Sequence, residues 1–174
     1  MKLYEEIFKL KTLTRKGWKL IGAQSEEGRV ESTAEHTFSM IILALEIMHK
    51  ENLKLDQQKV LKMIAYHDLC EIDFGDHTPY DGLDEGDVYK GEHKCMQRLA
   101  KEYDMPEVLK LWLEYEEGKT PEAKFVEKID KLDSIMQSKI YSKICNDEDI
   151  FKQFYNRKKE IAEEFKSYIF LQEE

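Results

Sequence analysis

Apolar residues in this chain recur at intervals of three and four, and no stretch alternates apolar with polar residues between hairpin turns. That period belongs to helices that bury one face. Leu3, Ile7 and Leu10 mark a first amphipathic helix, expected to end between Thr14 and Gly17. A second opens on Ser32-Thr33-Ala34-Glu35, a capping box in which each end satisfies a backbone donor at the other, and runs through Met40, Leu43, Ala44 and Ile47. Asp56 is placed to cap a third, with Val60, Leu61, Ile64 and Ala65, which fades into a turn at Gly75. Residues 76–86 hold two Gly and one Pro and read as a loop. Helices are then expected over 87–103, from Pro106 to a stop at Gly118, from Thr120-Pro121 to about Cys145, and from about Glu148 to Phe170. No repeat and no dividing linker interrupts the pattern. The expectation is an all-α bundle in which residues 1–174 form a single domain.

Composition narrows the function classes. Charged residues are 36% and hydrophobic ones 41%, with only 8 Gly and 3 Pro, which suits a packed helical protein and not a disordered or turn-rich one. The net charge is −9, from 27 basic against 36 acidic side chains. Holding a nucleic-acid polymer or an anionic membrane takes a basic surplus, so neither partner is expected. Cys70, Cys95 and Cys145 form no CxxC pair and leave an odd thiol over, as is natural in a reducing compartment. The longest apolar run, Met40 to Leu45, is too short to span a bilayer, and the first residues carry acids where a secretory leader needs an apolar stretch. A cytoplasmic location is expected.

Two of the five histidines keep unusual company. His36 shares a helix face with Met40, Leu43, Ala44 and Ile47 and points inward. His67 follows Val60 and Ile64 on an inward face, with Asp68 beside it and Glu71 one turn on. Imidazole and carboxylate together suit a divalent cation such as cobalt, manganese, iron, zinc or magnesium. On spacing alone, a hydrogen-bonded core histidine and a helix-end cap are the more ordinary explanations of these residues. Asp130 adds a carboxylate in a largely apolar stripe, where burial is costly without a cation or partner; pairing with Lys128 or Lys131 at an exposed edge is the alternative, and Asp133 is a rival ligand. His49 and His93, set among Lys and Glu, read as surface, and His77 as a solvated loop residue.

Taken in order, Glu31-Ser32-Thr33-Ala34-Glu35-His36, His67-Asp68-Leu69-Cys70-Glu71, Gly75-Asp76 and Lys128-Ile129-Asp130-Lys131-Leu132 resemble the H…HD…D signature of HD-domain metal-dependent phosphohydrolases. Glu71 after the HD pair, Gly75-Asp76, Arg15-Lys16-Gly17-Trp18 and Ala123-Lys124-Phe125-Val126 are similar to the 5′-deoxynucleotidase branch, and the resemblance covers about residues 5–145. It implies an all-α HD fold with one divalent cation on His36, His67, Asp68 and Asp130. The implied reaction is hydrolysis of deoxyribonucleoside 5′-monophosphates to deoxynucleoside and phosphate. Glu71 and Asp76 would then be catalytic, and Arg15, Trp18 and Arg29 would bind substrate, Trp18 as a wall of the sugar pocket. A homodimer is also implied, with apolar faces of the last two helices as its expected surface. The alternatives are another HD phosphohydrolase with a different nucleotide or phosphoester, and a non-catalytic helical interaction module. The stretch from Trp18 to His36 is longer than the family pattern, and its polar Ser25-Glu26-Glu27-Gly28 is expected near the substrate mouth.

Overall fold

The computed structural model describes residues 2–170, and helices dominate it. In chain order they are α1 (Lys2–Thr12), α2 (Lys16–Leu20), α3 (Thr33–Lys50), α4 (Gln57–Tyr66), α5 (Glu71–Phe74), a 3-10 turn (Pro79–Asp81), α6 (Glu85–Glu102), α7 (Pro106–Glu117), α8 (Pro121–Cys145), α9 (Glu148–Arg157), α10 (Lys159–Glu164) and α11 (Lys166–Ile169). Among the described residues no strand forms beyond one isolated antiparallel bridge, Thr14 with Ser32. It is flanked by Arg15 N–H to Glu31 O at 3.0 Å and Thr33 N–H to Leu13 O at 3.0 Å. These bonds tie the entry of α2 to the entry of α3.

The helix ends follow local chemistry. The capping box at Ser32 and Glu35 forms as expected, with Glu35 accepting from Ser32 N–H at 2.7 Å. Asp56 accepts from Lys59 N–H, and Gly118 and Asn146 adopt left-handed conformations that end α7 and α8. Three expectations are corrected. The first helix stops at Thr12, and 16–20 form a separate short helix after the bridge. Asp84 accepts from Gly86 and Asp87 N–H, so α6 starts at Glu85, ahead of 87. The last helix is not continuous, because the chain leaves helical geometry at Lys158 (φ −117°, ψ 36°) and Phe165 (φ −104°, ψ 25°). No Gly or Pro marks these breaks. Ile150 packs beside Trp18, Ala23, Val30 and Tyr141, whereas Ala162, Phe165 and Ile169 join the main core, and one straight helix could not face both.

The long α8 runs through the middle, packed against α3, α4, α7, α9 and α10. Its Val126, Ile129, Leu132 and Ile135 meet Met40, Ala44 and Ile47 of α3 and Val60, Met63 and Ile64 of α4, all nearly or fully buried. Each such aliphatic side chain contributes about 1.5–3 kcal/mol on burial. A second cluster, including Leu10, Ile72, Met96, Leu99 and Trp112, seats α1 and α5 on α6 and α7. His93 belongs with this packing and not with the surface: its ring stacks on Trp112 at 5.9 Å with 9° between planes.

Helix α5 lies close on α6. A Cβ at Gly91 would fall 2.2 Å from Phe74 Cε2. Gly to Ala inside a helix ordinarily stabilises by about 1 kcal/mol, but overpacking of this kind costs about 1–3 kcal/mol. Gly91→Ala is therefore expected to lower the denaturant midpoint, while Phe74→Leu added to it recovers part of the loss.

Candidate active site

The capping box fixes the first turn of α3 and puts His36 one turn in, with no exposed surface. His36 Nδ1 lies 2.7 Å from Asp133 Oδ2 on α8. Because a carboxylate only accepts, Nδ1 donates to Asp133 and Nε2 is the nitrogen left for a ligand, which would displace a proton there: against burial and the Arg15 charge, Asp130 and Asp133 push the imidazole up to about 10. His67 follows the last turn of α4, and its Nδ1 donates to the Ile64 carbonyl at 2.7 Å, which leaves the same nitrogen for a ligand. Both Nε2 atoms are buried without a hydrogen-bond partner among the described residues.

The acids converge on those two nitrogens. Asp68 Oδ2 is 3.1 Å from His67 Nε2 and 4.0 Å from His36 Nε2, and Asp130 Oδ1 is 3.1 Å from His36 Nε2. The Asp130 oxygen is off the line of a hydrogen bond, which is why the nitrogen remains unpartnered. His36, His67 and Asp68 each offer one ligand atom within 4.8 Å of the others. Two imidazole lone pairs and two carboxylates form a donor set suited to a borderline divalent cation. Glu31, His36 and Asp133 also lie close enough to hold an ion. Their polar atoms are already engaged, Glu31 with Trp18 Nε1 at 2.8 Å and Asp133 with His36, so the first group fits better.

Of the expected substrate and catalytic residues, Arg15, Glu71 and Asp76 line the same cavity of about 440 Å³ as Asp68 and Asp130. The bridge beside α3 places Arg15, whose Nη1 lies 3.4 Å from Asp68 Oδ2. Although burial opposes ionisation, Asp68, Asp130, Glu71 and Asp76 hold the guanidinium firmly charged. Burial, then the negative charge of Asp68, pushes Glu71 up to about 9, against a hydrogen bond that Thr33 Oγ1 donates to Glu71 Oε2 at 2.6 Å. Burial also works against Asp130, yet His36 and Arg15 hold it well below the usual carboxylate range. Gly75 ends α5 at φ 82° and ψ 171°, a conformation open to glycine, and turns Asp76 toward the cavity. Asp76 Oδ2 accepts the Lys16 backbone N–H.

Two expectations need revision. Arg29 does not reach this cavity. It is fully committed to a two-pronged contact with Glu35, at 2.9 and 2.8 Å. With Ser25 it lines a separate groove against Gln137 and Ile144, so the polar insertion lies away from Asp68. Trp18 is 2% exposed, stacked on Phe154 at 4.5 Å and edge-on to Tyr141 at 5.2 Å. It is a packed residue whose edge lines a smaller cavity of about 140 Å³ with Arg15, Asp76 and Lys158. His77 is half-buried and stacked on Phe74 at 4.6 Å.

Glu92 and Glu116, unremarkable as sequence, form the far wall of the larger cavity. Burial and the Glu116 carboxylate raise Glu92 from 4.5 to about 7. The folded state therefore holds that proton where the unfolded chain releases it, and stability falls as pH rises between those values. Glu92→Gln is expected to raise the melting temperature relative to the parent at pH 8 and to change it little at pH 4. Asp133→Asn, which loosens the tautomer of His36, is expected to weaken manganese affinity by about 10–100-fold in a titration, with the helical spectrum unchanged.

Known proteins resemble this chain over most of its length. The chain is 32% identical over 155 residues to the 5′-deoxynucleotidase HDDC2 of Dictyostelium discoideum, covering 82% of this chain and 80% of that one. It is 32% identical over 153 residues to the 5′-deoxynucleotidase hdd1 of Schizosaccharomyces pombe, covering 84% and 74%. Among solved structures, a conserved hypothetical protein of Pyrococcus furiosus superposes with a TM-score of 0.74 at 26% identity, over 97% of this chain and 93% of that one. The family model described as HD domain matches residues 7–169, which extends beyond the 5–145 span of the recognisable motifs into α11, and the chain belongs to the HD-domain family.

Proposed function

We propose that this protein is a metal-dependent 5′-deoxynucleotidase, a phosphoric monoester hydrolase that converts deoxyribonucleoside 5′-monophosphates to deoxynucleoside and phosphate. One observation carries the reading. Two buried, unpartnered imidazole nitrogens meet Asp68 and Asp130 on the wall of a cavity that also holds Arg15 and Glu71. The relatives named above, both 5′-deoxynucleotidases by name, support the substrate class.

His36, His67, Asp68 and Asp130 would hold the cation. When bound, a divalent cation there supplies Lewis acidity, acidifying water and drawing charge from a phosphoryl oxygen. Arg15, charged at any working pH, offers a planar fork of donors to the phosphate once Asp68 is engaged elsewhere. Glu71, half-buried and next to the Asp68 charge, keeps its proton against the hydrogen bond from Thr33, and that proton can pass to the departing 5′-oxygen. Asp76 has Oδ2 anchored on the Lys16 amide, which leaves Oδ1 to accept from a sugar hydroxyl. The Trp18 edge, held by Glu31 and Phe154, is a rigid boundary against which an added 2′-hydroxyl would be crowded. For the proposed homodimer, exposed Phe38 and Ile42 on α3 and Ile140 and Ile144 on α8 offer an apolar face, in place of one confined to the last two helices.

With manganese or cobalt added, phosphate release from deoxyribonucleoside 5′-monophosphates is expected to exceed release from ribonucleotides. Equal release from both, or none from either, would overturn the reading. Glu71→Gln is expected to keep the metal and lose about 10²–10⁴-fold in kcat, whereas His36→Ala loses metal occupancy in elemental analysis.

A further inference from the structure

Lys158 stands at the break between α9 and α10, within the run Arg157-Lys158-Lys159 that as sequence resembles a solvated basic surface. The break turns it inward. It lines the cavity of about 140 Å³ together with Arg15, Trp18, Asp76 and Ser134. Its ammonium lies 5.7 Å from the centre of the Phe154 ring, and it makes no hydrogen bond or ion pair with the described residues. The acids that act on it, Asp130 and Asp133, do so from a distance, and Arg15 and Lys131 oppose them.

A half-buried ammonium without a hydrogen-bonded partner is costly, and one cation–π contact with Phe154 at 5.7 Å offsets only part of that cost. The electrostatics of the cavity supply a reason for the charge. Arg15 and Lys158 face the same small space, with Asp76 as the carboxylate on its wall, and Asp76 already accepts from the Lys16 amide. When Asp68 and Asp130 are neutralised by a dication, the two cations there lack compensation. A phosphate monoester, with a charge of about −1.5 to −2 at pH 7, supplies it. The small cavity shares Arg15, Asp76, His77 and Thr78 with the larger one, so an anion at that shared wall faces Arg15 and Lys158 while staying next to Asp130, and the sugar can still meet Trp18.

We infer that Lys158 is a substrate-binding residue, the second cation that, with Arg15, grips the phosphoryl group of the nucleoside monophosphate. The inference rests on the phosphohydrolase reading and adds a contact from a helix that the recognisable motifs do not reach. The break that the two hydrophobic clusters impose is what brings position 158 to this cavity.

The test uses the manganese-loaded protein and inorganic phosphate as the probe. Lys158→Met keeps the chain length over Phe154 and removes the charge, and Lys158→Arg keeps the charge. In the Met variant phosphate is expected to bind about 10–100-fold more weakly by calorimetry, and KM for a deoxynucleotide rises in proportion. Manganese stoichiometry should be unchanged, and the Arg variant should recover most of the affinity. Phosphate binding in the Met variant equal to that of the parent would overturn the assignment. So would failure of the Arg variant to restore affinity at a parental melting temperature. If the Met variant does not fold, Lys158→Gln replaces it in the same comparison. Phosphate binding is read without turnover, so the two readings fail separately. A parent that hydrolyses no nucleoside monophosphate, yet binds phosphate through Lys158, overturns the nucleotidase reading alone. A parent that hydrolyses deoxynucleotides, with an unaffected Met variant, overturns the role of Lys158 alone.

Discussion

A hydrogen bond between His36 and Asp133, 97 residues apart and 2.7 Å long, joins the start of α3 to the middle of α8 inside the protein. His36 is fully buried, and a buried imidazole beside carboxylates is tolerated only if its protons and lone pairs are assigned. Asp133 makes that assignment at Nδ1. Everything facing Nε2 depends on it, because with Nδ1 held by Asp133 the other nitrogen is directed at Asp68 and Asp130. The apolar stripe of α8, from Val126 to Ile135, holds the two helices at the distance the bond requires. Core packing and site geometry are thus carried by one helix, and a loss of either disturbs the other.

Charge is distributed in the same sense. A chain with a net −9 concentrates acids and cations around one pair of cavities. Asp68 and Asp130 remain ionised despite burial because His67, His36 and Arg15 surround them, whereas Glu71 is left to keep its proton. Three carboxyl groups gathered at one cavity therefore take two roles, set by whether a cation or another acid is the nearer neighbour. Despite the net negative charge, the local arrangement of cations can accommodate a small anion.

Much of the helical framework was legible because the signals are local. The capping box at Ser32, Asp56, Pro106 with Gly118, and Thr120-Pro121 each act within one turn, and the helices they delimit appear where expected. The breaks at Lys158 and Phe165 were not legible, since they arise from two separate clusters pulling on one segment. Arg29 was misplaced for a related reason. Its nearest carboxylate, Glu35, is six residues away, and nothing in the residue types distinguishes an arginine that pairs locally from one that faces a ligand.

By itself the sequence determined that two histidines stand on inward helix faces with acids beside and beyond them, and placed the caps that set the phase of each helix. Helical phase depends on neighbours three and four residues away, so it is written in the chain. Only the tertiary structure decided which nitrogen of each histidine is free, that Asp133 orients His36 while Asp130 faces its other nitrogen, and that Lys158 turns in toward Arg15. Those outcomes depend on contacts between helices distant in sequence, where packing of α8 and α9 sets positions that no local pattern encodes.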